Sequence, residues 1–189
     1  MFSIREYLKK KHTEFLIKRL GHRGAFLSGA VRHKIDERYD YNLQKMVPVY
    51  DEWKELAREV PNLLTNDGKD YYHAQDFTNT SAGGVGVNFI GLTESTITPA
   101  VTDSTLTGEI TTNGLGRAIA TTLTHSAASN TTTLSKTFTA SGSFTSVLAS
   151  ALFNASTSGT MGHIANFSTG SGTLVSGDQL AVTWTMTLS

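Results

Sequence analysis

The chain has 189 residues, no cysteine, and 16 Lys and Arg balanced by 16 Asp and Glu. That length suits one ordinary domain or a small domain with a substantial extension, and the missing cysteine excludes a disulfide scaffold, a thiolate metal site and a cysteine nucleophile. No apolar run approaches the ~20 residues of a membrane-spanning helix.

The neutral total conceals two unlike segments. Residues 1–76 hold 14 of the 16 basic and 12 of the 16 acidic side chains, whereas residues 77–189 hold only Glu94, Asp103, Glu109, Arg117, Lys136 and Asp178. The second segment carries 26 Thr and 16 Ser instead. The expected organisation is therefore α+β: a charged helical adaptor arm over 1–76, then a Thr/Ser-rich antiparallel β-sandwich or jelly-roll-like domain over 77–189.

Taken in chain order, Ser3-Ile4-Arg5-Glu6 fits a capping box. Ile4, Tyr7, Leu8, Phe15 and Leu16 then recur at helical spacing up to a stop at Gly21. Lys9, Lys10, Lys11 and Glu14 fall where a signal peptide needs its apolar core, so no export signal is expected. Residues 22–47, with Gly24 and Gly29 and weak periodicity, read equally as a helix or an extended tether. A second helix is expected from Pro48 to Val60, because Val49, Trp53, Leu56 and Val60 fall at i, i+4, i+7 and i+11 and Pro61 ends the run. A third, shorter one is expected over 67–75.

Charge divides this arm again. Residues 1–34 have a net charge of +7 and residues 35–76 a net charge of −5. The basic stretch reads either as a solvated helix face paired with the acidic half or as a docking surface for an acidic neighbour. Nucleic-acid binding is the weaker reading, because aromatic interleaving is confined to Tyr7, Phe15 and Phe26, and a membrane-surface helix is weaker still. The docking candidates are Arg5, Lys9, Lys10, Lys11, Lys18, Arg19, Arg23 and, on the second helix, Trp53.

Beyond residue 77 the period changes to two. The run from Leu180 to Leu188 alternates large apolar residues with Thr or Ala, which marks a half-buried strand. Further strands are expected near 86–93, 106–112, 117–125, 131–140, 144–153 and 161–168. Thr98-Pro99, Asn113-Gly114, Ser141-Gly142, Ser158-Gly159 and the Gly-rich stretch 169–172 supply turns.

No catalytic, cofactor-binding or metal-binding set emerges, and the chain reads as non-enzymatic. His125, His163 and Asp178 could be combined with a serine, but no Gly-x-Ser-x-Gly elbow supports a triad. Gly84-Val85-Gly86 and Gly114-Leu115-Gly116 lack the third glycine of a dinucleotide fingerprint. Asp70, His73 and Asp76, at spacings of three, drift around a helix and read as a surface cluster rather than a metal site.

Several phrases carry a resemblance. They are Leu63-Leu64-Thr65-Asn66 with His73-Ala74-Gln75, Asn88-Phe89-Ile90-Gly91-Leu92-Thr93, Thr105-Leu106-Thr107-Gly108-Glu109-Ile110, Gly114-Leu115-Gly116-Arg117-Ala118 and Ser176-Gly177-Asp178-Gln179-Leu180. Over about residues 62–189 the chain resembles a family of small structural proteins of tailed bacteriophages. The resemblance implies a virion component, assembled in the host cytoplasm, with other virion proteins (capsid, portal or neck subunits) as partners and homo-oligomerisation expected. Nucleic acid and membrane are not expected partners. A capsid-decoration or neck position is favoured; a tail or baseplate component is the alternative within the class. The rival reading is a carbohydrate-binding jelly-roll module with Tyr71, Tyr72 or Trp184 as stacking residues. Trp184 falls on the apolar face of its strand, so core packing is expected for it.

Overall fold

The computed structural model describes residues 25–61, 63–69, 86–125 and 131–187. Among the described residues there are twelve strands: β1 (Ala25–Arg32), β2 (Lys34–Asp40), β3 (Lys45–Tyr50), β4 (Lys54–Pro61), β5 (Leu63–Leu64), β6 (Phe89–Thr93), β7 (Ala118–Ile119), β8 (Thr122–His125), β9 (Thr131–Thr139), β10 (Ala149–Phe153), β11 (Met161–Asn166) and β12 (Gln179–Thr187). One five-stranded sheet has the order β4-β1-β12-β9-β8 and the other β5-β11-β10-β6-β7, and every pairing within them is antiparallel. The third sheet is the β2–β3 hairpin, which pairs with neither.

The α+β expectation is overturned. Among the described residues the only helix is a single turn over 66–69. The helix expected over 48–60 is replaced by β3, a short link and β4. The physical reason lies in the β1–β4 pairing, whose register shifts between Leu27 and Gly29 and again between Gly29 and Ala30. These irregularities turn the consecutive residues Leu56 and Ala57 both into the core, at 6% and 3% exposure. A bulge breaks the period of two, and what remains imitates helical spacing. Pro48 sits in a two-stranded ribbon, where alternate N–H groups face away from the partner strand and a proline is tolerated. The helix expected over 3–21 lies outside the described residues, as does most of the one expected over 67–75.

β1 and β4 both precede residue 76, yet they form one edge of a sheet whose other strands follow it. Leu27 and Val31 of β1 join Leu134 and Phe138 of β9 and Leu180, Val182 and Trp184 of β12 on the inner face of that sheet. Ile90, Leu92 and Leu152 face them from the opposite sheet. Two sheets packed face to face over interleaved apolar side chains make a sandwich. The second sheet is covered on its other face as well: Ala151, Phe153 and Ile164 pack beneath Leu106 and Ile97 of the long connection from β6 to β7. That double cover explains why all five residues of β10 are buried.

Of the strands expected after residue 77, six segments are observed, with shifted ends. Residues 106–112 form no strand; they meet β6 through the bridge between Thr93 and Glu109, the Ile110 N–H donating to the Leu92 carbonyl at 2.8 Å, and the Thr93 hydroxyl donating to the Thr107 carbonyl at 2.7 Å. Asn113-Gly114 is a tight turn with positive φ at both residues (54° and 80°), closed by the Leu115 N–H donating to the Thr112 carbonyl at 3.3 Å. A Cβ on Gly114 would lie 2.0 Å from the Thr139 carbonyl oxygen, so only glycine fits.

Candidate functional site

The β2–β3 hairpin stands apart from the sandwich. Its turn is shaped by Asp40, whose Oδ1 accepts hydrogen bonds from the backbone N–H of Asn42 (2.9 Å) and Leu43 (3.1 Å). This is an Asx turn, completed by Gln44 at φ 49°. Tyr39 faces Met46 across the ribbon, and the Tyr39 and Tyr41 rings meet edge to face with centroids 5.1 Å apart. Ile35, Tyr39, Tyr41, Leu43 and Met46 are all exposed, Tyr41 at 85% and Leu43 at 58%. Exposed apolar side chains gathered around the end of a hairpin, with Tyr39, Tyr41 and Met46 as neighbours, mark a candidate docking surface.

An isolated two-stranded ribbon is marginally stable in water, but this one is braced at its root. Asp178, 1% exposed, precedes β12. Its Oδ1 accepts from the Lys34 backbone N–H at 2.8 Å. Its Oδ2 accepts from the Val175 N–H and lies 2.8 Å from the His33 Nδ1. Burial by itself would raise the pKa of this carboxyl. The His33 side chain and the two backbone N–H groups outweigh burial and hold it below the ordinary carboxylate value. Opposite it, the His33 N–H donates to Asp51 Oδ1 at 2.6 Å and the Asp51 N–H returns a bond to the His33 carbonyl at 2.9 Å. The N–H that His33 donates to the carboxylate, helped by Lys54 at 3.4 Å, lowers the Asp51 pKa. Both entry and exit of the hairpin are thus clamped by carboxylates.

Arg32, the last residue of β1, completes the root. Its guanidinium donates to Gln179 Oε1 from Nε (3.0 Å) and Nη2 (2.8 Å). It lies 4.1 Å from the Tyr50 ring centroid and 4.6 Å from that of Trp53, a double cation–π contact. Beside Trp53 a solvent-open concavity of about 350 Å3 is walled by Ser28 and Ala30 of β1, Glu55 of β4, and Ala181 and Thr183 of β12. It exists because small residues pair in register: Ala30 opposes Ala181 and Ser28 opposes Thr183.

Of the sequence-predicted docking residues, Trp53 sits at this root, 43% exposed and on a link rather than a helix. Arg5, Lys9, Lys10, Lys11, Lys18, Arg19 and Arg23 lie outside the described residues, as do Tyr71, Tyr72 and the Asp70, His73, Asp76 cluster. Trp184 is fully buried, its Nε1 donating to Ser150 Oγ at 3.2 Å. His163 is buried near the Trp184 ring, His125 lies on the exposed edge strand β8, and the histidine that meets Asp178 is His33. Among the described residues no group of three His, Asp or Glu side chains could hold a metal ion, and no helix is long and apolar enough to cross a membrane.

The sequence pattern does not mark the hairpin's apolar residues or the His33–Asp178 contact. One signal was present: in a segment with so few charges, each acid marks a place where the chain needs an acceptor. Besides Asp178, Asp103 Oδ2 accepts from the Ala100 N–H at 2.8 Å, and Glu94 Oε1 accepts from the Thr145 N–H at 2.6 Å. Glu109 binds Arg117 with both oxygens, at 2.6 Å and 2.5 Å. Arg117 in turn lies 3.4 Å from the Phe153 ring centroid and donates to the Ala155 and Ser158 carbonyls. Glu109 and Arg117 therefore meet across the Asn113-Gly114 turn, with side chains 18% and 9% exposed rather than as a solvated surface pair. Comparison with protein-family models, curated proteins and solved structures finds no match for this chain.

Proposed function

We propose that this chain is a non-enzymatic structural protein of a bacteriophage particle that joins its neighbours through the β2–β3 hairpin, in a capsid-decoration or neck position. The observation that carries the docking role is the pairing of exposed apolar side chains at the hairpin's end with a buried, fully bonded carboxylate at its base. Exposing Tyr41, Leu43 and Met46 is unfavourable unless a partner covers them. Anchoring the ribbon through Asp178 presents that surface in one direction and lowers the entropy lost when it binds. The particle context comes from the family resemblance over residues 62–189. The Thr- and Ser-rich sandwich is compatible with it, since contacts between uncharged surfaces desolvate no ions.

The test begins with purified particles from host cells carrying the gene. Mass spectrometry should find this chain in stoichiometric amount after density-gradient purification. A Tyr41→Ser/Leu43→Ser variant should fold normally yet be depleted from particles. If the chain is missing from particles, or the variant is retained at the wild-type level, the reading fails.

A further inference from the structure

We infer that the partner of the hairpin is a second copy of this chain: the Tyr41–Leu43 tip of one copy seats in the concavity beside Trp53 of the next. This deepens the docking role proposed above and rests on it.

One copy of the chain carries both halves of the contact. The tip presents Tyr41 and Leu43, both exposed. The concavity, about 350 Å3, is floored by side chains of alanine and serine size, Ala30, Ala181 and Ser28, with Trp53 as one wall. Large apolar groups thus face a hollow made of small ones, and seating a Leu or Tyr there removes its apolar area from water without displacing a side chain. Lys45, next to the turn, and Glu55, on the rim of the hollow, carry opposite charge, which favours this orientation of approach.

A copy cannot satisfy its own tip. β2 spans seven residues from Lys34 to Asp40, about 23 Å at the rise of an extended strand. The root is clamped by Asp178 and Asp51, and Trp53 lies at that root, so the tip is held on the order of 20 Å from its own hollow. Among the described residues the tip has no cover within its own copy. Because knob and hollow are different patches, the contact is heterologous, and repeating it gives a ring or an open filament rather than a two-fold dimer.

The absence of cysteine from the chain makes the experiment direct. Full-length Leu43→Cys and Ala181→Cys proteins are mixed at about 1 mM, the effective-concentration scale of tethered neighbours, and oxidised. Leu43→Cys with Leu123→Cys, on the far edge strand β8, serves as control. The expected result is a disulfide-linked heterodimer on the order of tenfold above control, the excess that a contact worth about 1.4 kcal/mol produces. The Leu43→Cys/Ala181→Cys double variant should form a covalent ladder. Thr183→Cys replaces Ala181→Cys if the latter unfolds.

Cross-linking at the control level, or Leu43–Leu43 dimers alone, overturns the inference. Particle incorporation of the Tyr41→Ser/Leu43→Ser variant separates the failures. If that variant is depleted while the mixed pair does not cross-link, the hairpin docks on a different particle protein; if it incorporates normally, the docking role itself is wrong.

Discussion

Replacing Asp178 by alanine should loosen the hairpin before it harms the sandwich. The carboxylate accepts from two backbone N–H groups, those of Lys34 and Val175, each at 2.8 Å, and lies at the same distance from His33 Nδ1. Each buried donor left without an acceptor costs about 1–3 kcal/mol. Because all three contacts are only partly buried, water recovers some of that loss and the low end of the range applies to each. Relief of the carboxylate's own desolvation offsets a further part. The expected destabilisation is about 2–4 kcal/mol, a large share of the 5–15 kcal/mol that holds a typical domain. Urea titration would read this as a midpoint shift of about 1–2 M at unchanged slope, for a slope near 2 kcal/mol/M. Hydrogen exchange adds the local signature: the Lys34 amide should exchange much faster, whereas amides in β10, whose residues are all buried, should slow or quicken only with global stability. Asp178→Asn keeps one acceptor for Lys34 and should lose about half as much. A loss below about 1 kcal/mol, or a Lys34 amide exchanging at the wild-type rate, would refute the idea that this carboxylate braces the ribbon.

The same group sets the acid limb of stability. Its folded pKa is depressed, so the unfolded chain binds the proton first as pH falls; the contribution is complete above the unfolded value of about 3.9 and is lost below it as pH drops through the folded value. Asp51 acts in the same direction, and denaturation curves between pH 5 and 2 should be less steep for Asp178→Asn than for wild type. Arg117→Met should cost about 1.5–3 kcal/mol because it removes the charge-assisted hydrogen bonds of a part-buried Glu109 carboxylate, while Arg117→Met/Glu109→Gln should cost less than the sum of the single changes in a double-mutant cycle. Gly114→Ala and Gly172→Ala form a contrast. Both glycines have positive φ, but a Cβ at Gly114 meets the Thr139 oxygen and one at Gly172 meets nothing within 4 Å. Thermal melts should show about 1 kcal/mol lost at Gly172 and clearly more at Gly114.

Several elements were legible in the residues because local chemistry alone decides them. The alternation from Leu180 to Thr187 puts Leu180, Val182 and Trp184 in the core wherever that strand pairs. Asn113-Gly114 and Ser158-Gly159 supply positive φ at successive positions and turn the chain regardless of what surrounds them. Of the few acids after residue 76, Glu94, Asp103 and Asp178 each serve backbone donors, and Glu109 serves Arg117. Long-range pairing decided the rest. Val49, Trp53, Leu56 and Val60 suit a helix or a bulged strand equally, and only the available edge of β1, with its two register shifts, selects the strand. Asp178 and His33 are 145 residues apart. The hollow beside Trp53 arises from the register of β1 against β12, which sets alanine opposite alanine. Periodicity and turn chemistry act over a few residues and are carried by the sequence itself, whereas register, bracing and concavity depend on which distant strands pair, and only the tertiary structure determines that.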